Sequence, residues 1–341
     1  MIRPLLVDEY RTGDAALLGG GTAVIDRAAS PPRLIVRTGE ALRVYELTSG
    51  TRSATDPVAV FPGRSEGPPI VGSGPVAPDL SHAVLVEEHS YRLVTRDGRV
   101  LWTRPAASAR HVRWARSNRL WLAAPPDPGA DGDTVCLLLL TPAGDELQRL
   151  VVPFGGRSRS VHLALHANGQ AVAVGVQSTS QAATYAVGRD GELSLIPDRA
   201  LLDAAPNGSG FVTVGRSGDT TDARWHDTGA VVTCADLLAS EKDAEPGHIR
   251  PYLSAPSGGF LDADTLLLSL EDDYDEAEVE IFGSDRWRPS SHWLVASGRP
   301  HGMIVYPDTH CSDDLCAAIP LGDGTWLTHH GEAIHRWRVD H

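Results

Sequence analysis

The chain contains few of the basic residues on which proteins that bind nucleotides or nucleic acids depend. Lys242 is the one lysine in 341 residues, which excludes a P-loop and other mechanisms that require an ammonium group. Lysine and arginine together number 30 against 44 aspartate and glutamate residues, a formal net charge of −14. Because polyanions are attracted by clustered basic residues, we expect no nucleic-acid partner.

Long apolar stretches are also missing. The longest run is Val135–Leu140, whereas a membrane-spanning helix needs about 20 apolar residues. The apolar run near the N-terminus ends at Asp8, short of the roughly 7–15 residues of a secretory signal. We therefore expect no membrane partner and a cytoplasmic location. Without a secretion signal, the 4 cysteines are predicted to be free thiols.

Glycine and proline, in contrast, are abundant, with 34 and 24 residues, as frequent chain reversals require. A hairpin made of an apolar strand, a turn with glycine and a second apolar strand recurs along the chain. Dividing 341 residues among seven such hairpins gives about 49 residues each, close to the length of a four-stranded propeller blade. The turn glycines are Gly39, Gly98, Gly144, Gly191, Gly229, Gly283 and Gly331.

This period predicts an all-β chain that forms a single β-propeller of seven four-stranded blades. Six or eight blades are the alternatives, because the wide gaps before Gly98 and Gly283 leave room for an insertion or a degenerate unit. Residues 4–7 are candidates for a strand beside 333–339, and a helix is predicted from Leu237 to Glu245, with Ser240 and Asp243 in capping-box register. The approximate blade limits are 11–70, 71–108, 109–156, 157–201, 202–245, 246–297 and 298–341.

Several turns carry a family resemblance. Ala77-Pro78-Asp79, Ala205-Pro206-Asn207-Gly208 and Ala255-Pro256-Ser257-Gly258 resemble the Ser-Pro-Asp-Gly element of the WD40-like and YVTN-like bacterial propellers. The hairpin Asp97–Trp102 resembles the outer hairpin of quinoprotein-like repeats. The resemblance implies a propeller and no particular activity, and no cofactor is carried over from it.

Four polar residues fall near corresponding strand ends in four blades and are candidate ligands for a divalent metal, Ca²⁺ or Zn²⁺. They are Asp79, Asn168, Asn207 and Asp262. In propeller hydrolases and lactonases, carboxylates and amides from several blades hold such a metal at the mouth of the central channel. Turn chemistry is the simpler explanation of the same recurrence.

Two further segments contain candidate binding groups. An acidic run at 271–280 is a candidate surface for a basic partner or Ca²⁺, through Asp272, Asp273, Asp275 and Glu276. His310, Cys311 and Cys316 are soft metal donors in one short stretch, but they lack the second cysteine pair of a typical zinc site.

Taken together, these observations favour a non-enzymatic, monomeric propeller that binds another protein or a small ligand on one face. The alternative is a metal-dependent hydrolase or lactonase with its site at the central channel. The functional part of both hypotheses rests on analogy between propellers.

Overall fold

The structure is a computed structural model. It describes residues 1–11, 23–27, 29–48, 56–63, 74–107, 111–115, 117–125, 134–154, 160–166, 168–178, 181–217, 220–240, 251–272, 291–307, 318–330 and 333–339. The chain divides into two compact units, Tyr10–Asp198 and Met1–Glu9 with Arg199–His341. We call them the N-terminal unit and the C-terminal unit and describe each by itself.

The described strands begin with β1 (Leu5–Arg11), and the four sheets of the N-terminal unit follow in chain order. The first sheet contains β2 (Ala23–Asp26), β3 (Arg33–Arg37), β4 (Ala41–Glu46) and β5 (Ala59–Pro62). The second contains β6 (His82–Val86), β7 (Ser90–Thr95) and β8 (Val100–Pro105). The third contains β9 (Val112–Ala115), β10 (Arg119–Ala124), β11 (Thr134–Leu140) and β12 (Glu146–Pro153). The fourth contains β13 (Ser160–Leu165), β14 (Ala171–Gln177), β15 (Ala182–Val187) and β16 (Leu193–Pro197).

Three further sheets and one helix make up the described part of the C-terminal unit. The fifth sheet contains β17 (Arg199–Ala204), β18 (Phe211–Ser217), β19 (Thr220–Trp225) and β20 (Val231–Thr233), and helix α1 (Cys234–Ala239) follows it. The sixth sheet contains β21 (Pro251–Phe260), β22 (Thr265–Asp272), β23 (Ser291–Ala296) and β24 (Arg299–Met303). The seventh contains β25 (Ile319–Pro320), β26 (Thr325–His330) and β27 (Ala333–Arg338), with β1 beside β27.

Consecutive strands of each sheet pair antiparallel, as short hairpins predict. In the described residues, six sheets have four strands, and three strands of the second sheet are defined. There the isolated bridge between Val76 and Ala83 takes the place of the first strand. The repeat of seven antiparallel sheets confirms the predicted seven-bladed β-propeller.

The hydrophobic core lies between consecutive sheets rather than in one central mass. In the N-terminal unit, Phe61 and Val44 of the first sheet pack with Leu85 of the second. In the C-terminal unit, Val214 and Trp225 of the fifth sheet pack with Leu268 and other residues of the sixth. Within the N-terminal unit, Leu137 and Leu139 of β11 pack with the fourth sheet, whereas Leu138 and Leu140 pack with the second, so this strand is apolar throughout rather than alternating.

The repeat has a different phase at its first hairpin from the one predicted. Gly98, Gly144, Gly191 and Gly229 lie in the last turn of their sheets, all with positive φ. Gly39 instead lies between β3 and β4, one hairpin earlier in its sheet, and Gly283 and Gly331 lie outside the described residues. The assumption that Gly39 is equivalent to the four later glycines was therefore wrong.

Three other boundaries differ from or refine the sequence analysis. Strand β17 begins the fifth sheet at Arg199, so the predicted start of that blade at 202 is slightly too late. Strand β24 ends the sixth sheet at Met303, so the predicted end of that blade at 297 is slightly too early. Helix α1 is capped by Thr233 and Asp236, each accepting the other's backbone N–H, whereas Ser240 is its C-terminal cap. The predicted capping pair was wrong. The predicted pairing of an N-terminal strand with 333–339 is confirmed by β1 and β27.

None of the helices that the structure describes is long and apolar enough to cross a membrane. Cys136 and Cys234 are both buried and form no disulfide.

Candidate functional site

The turn between the first and second strands of a sheet, here called the first turn, is built in the same way in five of the sheets that the structure describes. In the second sheet, the first turn is the one between the bridge residue Val76 and β6. In each of the five, a side-chain oxygen of Asp or Asn accepts the backbone N–H two residues later, an arrangement known as an Asx turn. The side chains, each with the distance from its accepting oxygen to the donating backbone nitrogen, are Asp79 (3.0 Å), Asn168 (3.0 Å), Asn207 (2.9 Å), Asp262 (2.9 Å) and Asp323 (3.0 Å).

All four predicted metal ligands are therefore engaged in folding their own turns. Asp79 and Asn168 lie in the N-terminal unit, and Asn207 and Asp262 lie in the C-terminal unit. Within the described ranges, no group of three or more His, Cys, Asp and Glu side chains is arranged to hold a metal ion. The Asx turns account for the recurrence of these residues, and their role as Ca²⁺ or Zn²⁺ ligands stays a prediction.

Asp79 shows how strongly one of these turns is fixed. Its carboxylate accepts both the backbone N–H of Ser81, at 3.0 Å, and the Ser81 hydroxyl, at 2.5 Å. Partial burial raises the pKa of Asp79, but the bonds from Ser81 and the charge of His82 outweigh it, so the pKa lies below its ordinary value. The carboxylate is therefore charged and exposed at neutral pH, with Asn118 Nδ2 of the third sheet at 3.5 Å.

The first turns of the second, third and fourth sheets are also tied to neighbouring sheets. We call the surface formed by residues 77–81, 117–119, 166 and 168–170 the turn face. Three buried side chains hold it by donating to backbone carbonyl oxygens in or beside these turns. They are Arg33 to Ala77 (3.2 Å) and Pro78 (2.8 Å), Trp114 to Pro75 (3.2 Å), and Trp121 to Gly169 (2.9 Å).

These bonds link the first sheet to the second, the third to the second, and the third to the fourth. Gly169 has a φ of +86° and lies so close to Ala115 and Ser117 that a Cβ atom there would be 2.6 Å from the Ala115 methyl group. The turn face is thus a closely packed surface whose loops have little freedom to rearrange.

Its outward side chains are polar or charged. The exposed members are Asp79, Ser117, Arg119, His166, Asn168 and Gln170. Hydrogen-bond donors, acceptors and both signs of charge therefore project from a preorganised frame, which suits recognition of a polar surface.

Sequence reasoning missed Asp323 and Asn118. Asp323 stands between Gly322 and Gly324, both with positive φ, and this Gly-Asp-Gly turn signal could have identified it. Asn118 itself has a φ of 56°, a left-handed conformation that asparagine tolerates.

The remaining predicted groups are placed only in part. Asp272 is the last residue of β22, and only its backbone is described. Asp273, Asp275 and Glu276 lie outside the described residues. His310, Cys311 and Cys316 lie outside them as well, so their zinc site stays a prediction.

Comparison with solved structures gives the fold. A chain in the crystal structure of the mitotic checkpoint complex superposes with a TM-score of 0.56 at 12% identity, covering 100% of this chain and 94% of that one. The Pan2 WD40 domain of Neurospora crassa superposes with a TM-score of 0.52 at 8% identity, covering 99% and 96%. The fold is that of a WD40-like β-propeller.

A third propeller-like neighbour is virginiamycin B lyase from Staphylococcus aureus, with a TM-score of 0.49 at 10% identity, covering 100% of this chain and 99% of that one. At these identities the likeness concerns the fold alone. No protein-family profile matches the chain, and no curated protein matches it.

Proposed function

We propose that this propeller is a non-enzymatic binding module that recognises a protein partner through the turn face. The observation that carries the proposal is the way the first turns of three consecutive sheets are fixed. Asx turns and three buried donors hold the loops in place, while their polar side chains project outward. A surface ordered before binding loses less conformational entropy on association.

The nature of the exposed groups indicates the kind of partner. Asp79 and Arg119 have opposite charges, and the other exposed side chains of the turn face are polar. Among the described residues, the large apolar side chains that are exposed lie elsewhere, mainly on last strands such as β8 and β12. We therefore expect a polar interface whose affinity falls as salt is raised.

A likeness in architecture is consistent with this function. The neighbour with a TM-score of 0.56 comes from a structure described as the mitotic checkpoint complex, so that propeller is found in an assembly. The likeness concerns the fold, and it supports a scaffold role without indicating which partner this chain takes.

The experiment is capture of a partner from native lysate followed by protection mapping on the purified complex. We expect footprinting to protect residues 77–81, 117–119, 166 and 168–170. Asp79→Asn is a sharp variant, because Asn168 and Asn207 show that asparagine forms the same turn without the charge. Asp79→Asn combined with Arg119→Gln should weaken the complex at least about tenfold.

Glu88→Gln is the matched control, because Glu88 is exposed on the turn between β6 and β7, at the other end of the same strands. A complex that the double variant and the control bind equally well would refute the assignment of the face. Failure to find any stoichiometric partner would count against the binding module itself.

A further inference from the structure

Within the described residues, a buried histidine of the N-terminal unit has a poorly satisfied ring, with the Val161 backbone carbonyl as its one polar neighbour on the protein backbone. His111 immediately precedes β9 and is completely buried. Its backbone N–H donates to the Tyr91 hydroxyl at 3.2 Å, but neither ring nitrogen has a hydrogen-bond partner in the part of the chain that the structure describes. Buried polar atoms are nearly always satisfied by protein, water or an ion, because leaving them unpaired costs free energy.

Two other basic side chains lie beside this ring. Arg113 is two residues further along, so it projects from the same side of the extended chain. Its guanidinium donates to the carbonyl of Leu163 on β13, the first strand of the fourth sheet. His162 precedes Leu163, and the Val161 carbonyl lies near the His111 ring. The cluster thus bridges β9 and β13, the first strands of two consecutive sheets.

Burial and neighbouring basic groups lower the pKa values of both histidines in this cluster. Burial, followed by the charges of Arg113 and His162, lowers the pKa of His111 to about 3, although the Val161 carbonyl acts in the opposite direction. Burial and the charge of Arg113 also lower the pKa of His162. The charged groups that lower these two pKa values are Arg113 and His162, both cationic when charged, so further positive charge on the rings is disfavoured unless an anion lies beside them.

We propose that an oxyanion group, a phosphate or a carboxylate, binds between β9 and β13 on His111, Arg113 and His162. A guanidinium and two imidazolium rings present N–H donors of the kind that hold oxyanions in proteins. Arg113 and His162 are half-buried, so the site meets solvent at these two side chains, with His111 behind them.

Binding at this site is coupled to protonation. An anion supplies the opposite charge that the rings lack, so it favours their protonated forms and raises their pKa values. Affinity therefore rises as the pH falls, by up to about tenfold per pH unit for each proton taken up. The oxyanion site lies near the start of β9 and β13, whereas the turn face lies beyond the ends of these strands. The two proposals can therefore be tested independently.

Sulfate is the probe, because it remains a dianion from neutral to mildly acidic pH. The test is ¹⁵N NMR of the histidine rings in the full-length protein, titrated with sulfate against chloride at constant ionic strength. We expect saturable shifts of His111 and His162, raised pKa values for both rings, and tighter binding at lower pH. Thermal stability is not the readout, because sulfate stabilises proteins in general through exclusion from their surface.

Arg113→Gln should weaken sulfate binding at least about tenfold. Arg189→Gln is the matched control, since Arg189 is an exposed arginine of the fourth sheet, in the turn between β15 and β16, and it should leave binding unchanged. If Arg113→Gln does not fold, His162→Gln tests the same site. Titrations with inorganic phosphate and with acetate then show whether the site prefers a phosphoryl or a carboxylate group.

Three results would overturn the proposal: an absence of saturable shifts at either ring, an equal loss of binding in the Arg113 and Arg189 variants, and an affinity that does not change with pH.

Discussion

His111 makes a definite contribution to the acid sensitivity of this protein. In the folded chain its pKa is about 3, whereas an unfolded histidine has its ordinary pKa of 6.5. The unfolded state therefore binds the proton first as the pH falls. The contribution of His111 to the free energy of unfolding is fully present above about pH 6.5 and is lost progressively as the pH drops toward about 3.

The magnitude follows from the size of the shift. Each pH unit below about 6.5 costs roughly 1.4 kcal/mol until the folded state also binds the proton. Between about pH 7 and pH 5 the loss attributable to His111 is therefore about 2 kcal/mol, and it approaches about 5 kcal/mol near pH 3. This loss is a large fraction of the roughly 5–15 kcal/mol that stabilises a typical domain.

The perturbation is His111→Leu, with His111→Asn as a second variant that keeps a polar side chain. Urea unfolding followed by circular dichroism, at neutral pH and near pH 5, gives the free energy of unfolding of each protein. The wild-type chain should lose about 2 kcal/mol more than the variant over this interval. His162 and His226 also have lowered pKa values, because burial disfavours their charged forms, so the variant retains part of the acid sensitivity.

The buffer should contain no oxyanion, because an anion bound beside His111 would raise its pKa and reduce the effect. The exposed His89, whose side chain is 88% accessible, provides the matched control as His89→Leu. If wild type and His111→Leu lose stability equally within about 0.5 kcal/mol, the burial of an uncharged imidazole at this position is not what limits stability in acid.

Three other perturbations test the architecture. Asp222→Ala should cost about 3–5 kcal/mol in urea unfolding, because it leaves Arg199 buried without its carboxylate, and the pair replacement Arg199→Met with Asp222→Leu should recover much of that loss. Gly258→Ala should lower the free energy of unfolding by more than about 2 kcal/mol, because Gly258 has a φ of +113° and the new Cβ would lie 2.5 Å from a backbone oxygen. Gly229→Ala, at a position with open space around it, should lower it by about 1 kcal/mol. Deleting residues 1–10 should lower the melting temperature, because β27 loses its partner strand; an unchanged melting temperature would show that this pairing contributes nothing.

Much of the fold could be predicted because its signals are local. A turn such as Asp97-Gly98 between apolar strands specifies a hairpin regardless of what lies elsewhere in the chain, and Gly98 has the positive φ that such a turn needs. Repetition of the hairpin then identified the propeller. These local signals did not fix the phase of the repeat, because Gly39 also lies in a hairpin turn, and the sequence does not say which pair of strands in a sheet that turn connects.

The candidate site was predicted in part. Asp79 and Asn168 were recognised as recurrent, and turn chemistry was the simpler explanation, which their bonds to Ser81 and Gln170 support. The tie from Trp121 to Gly169 was not foreseen, because the two residues are separated by 48 positions and meet only when the third and fourth sheets pack.

The sequence by itself indicated the strands and the turns, since these depend on residues a few positions apart, and their repetition favoured seven sheets over the alternatives of six or eight. The tertiary structure alone decided which side chains meet. Arg113 contacts the Leu163 carbonyl 50 positions away, beside His162 and the buried ring of His111. Such a cluster depends on which strands of separate sheets lie next to each other, and packing between blades sets that arrangement.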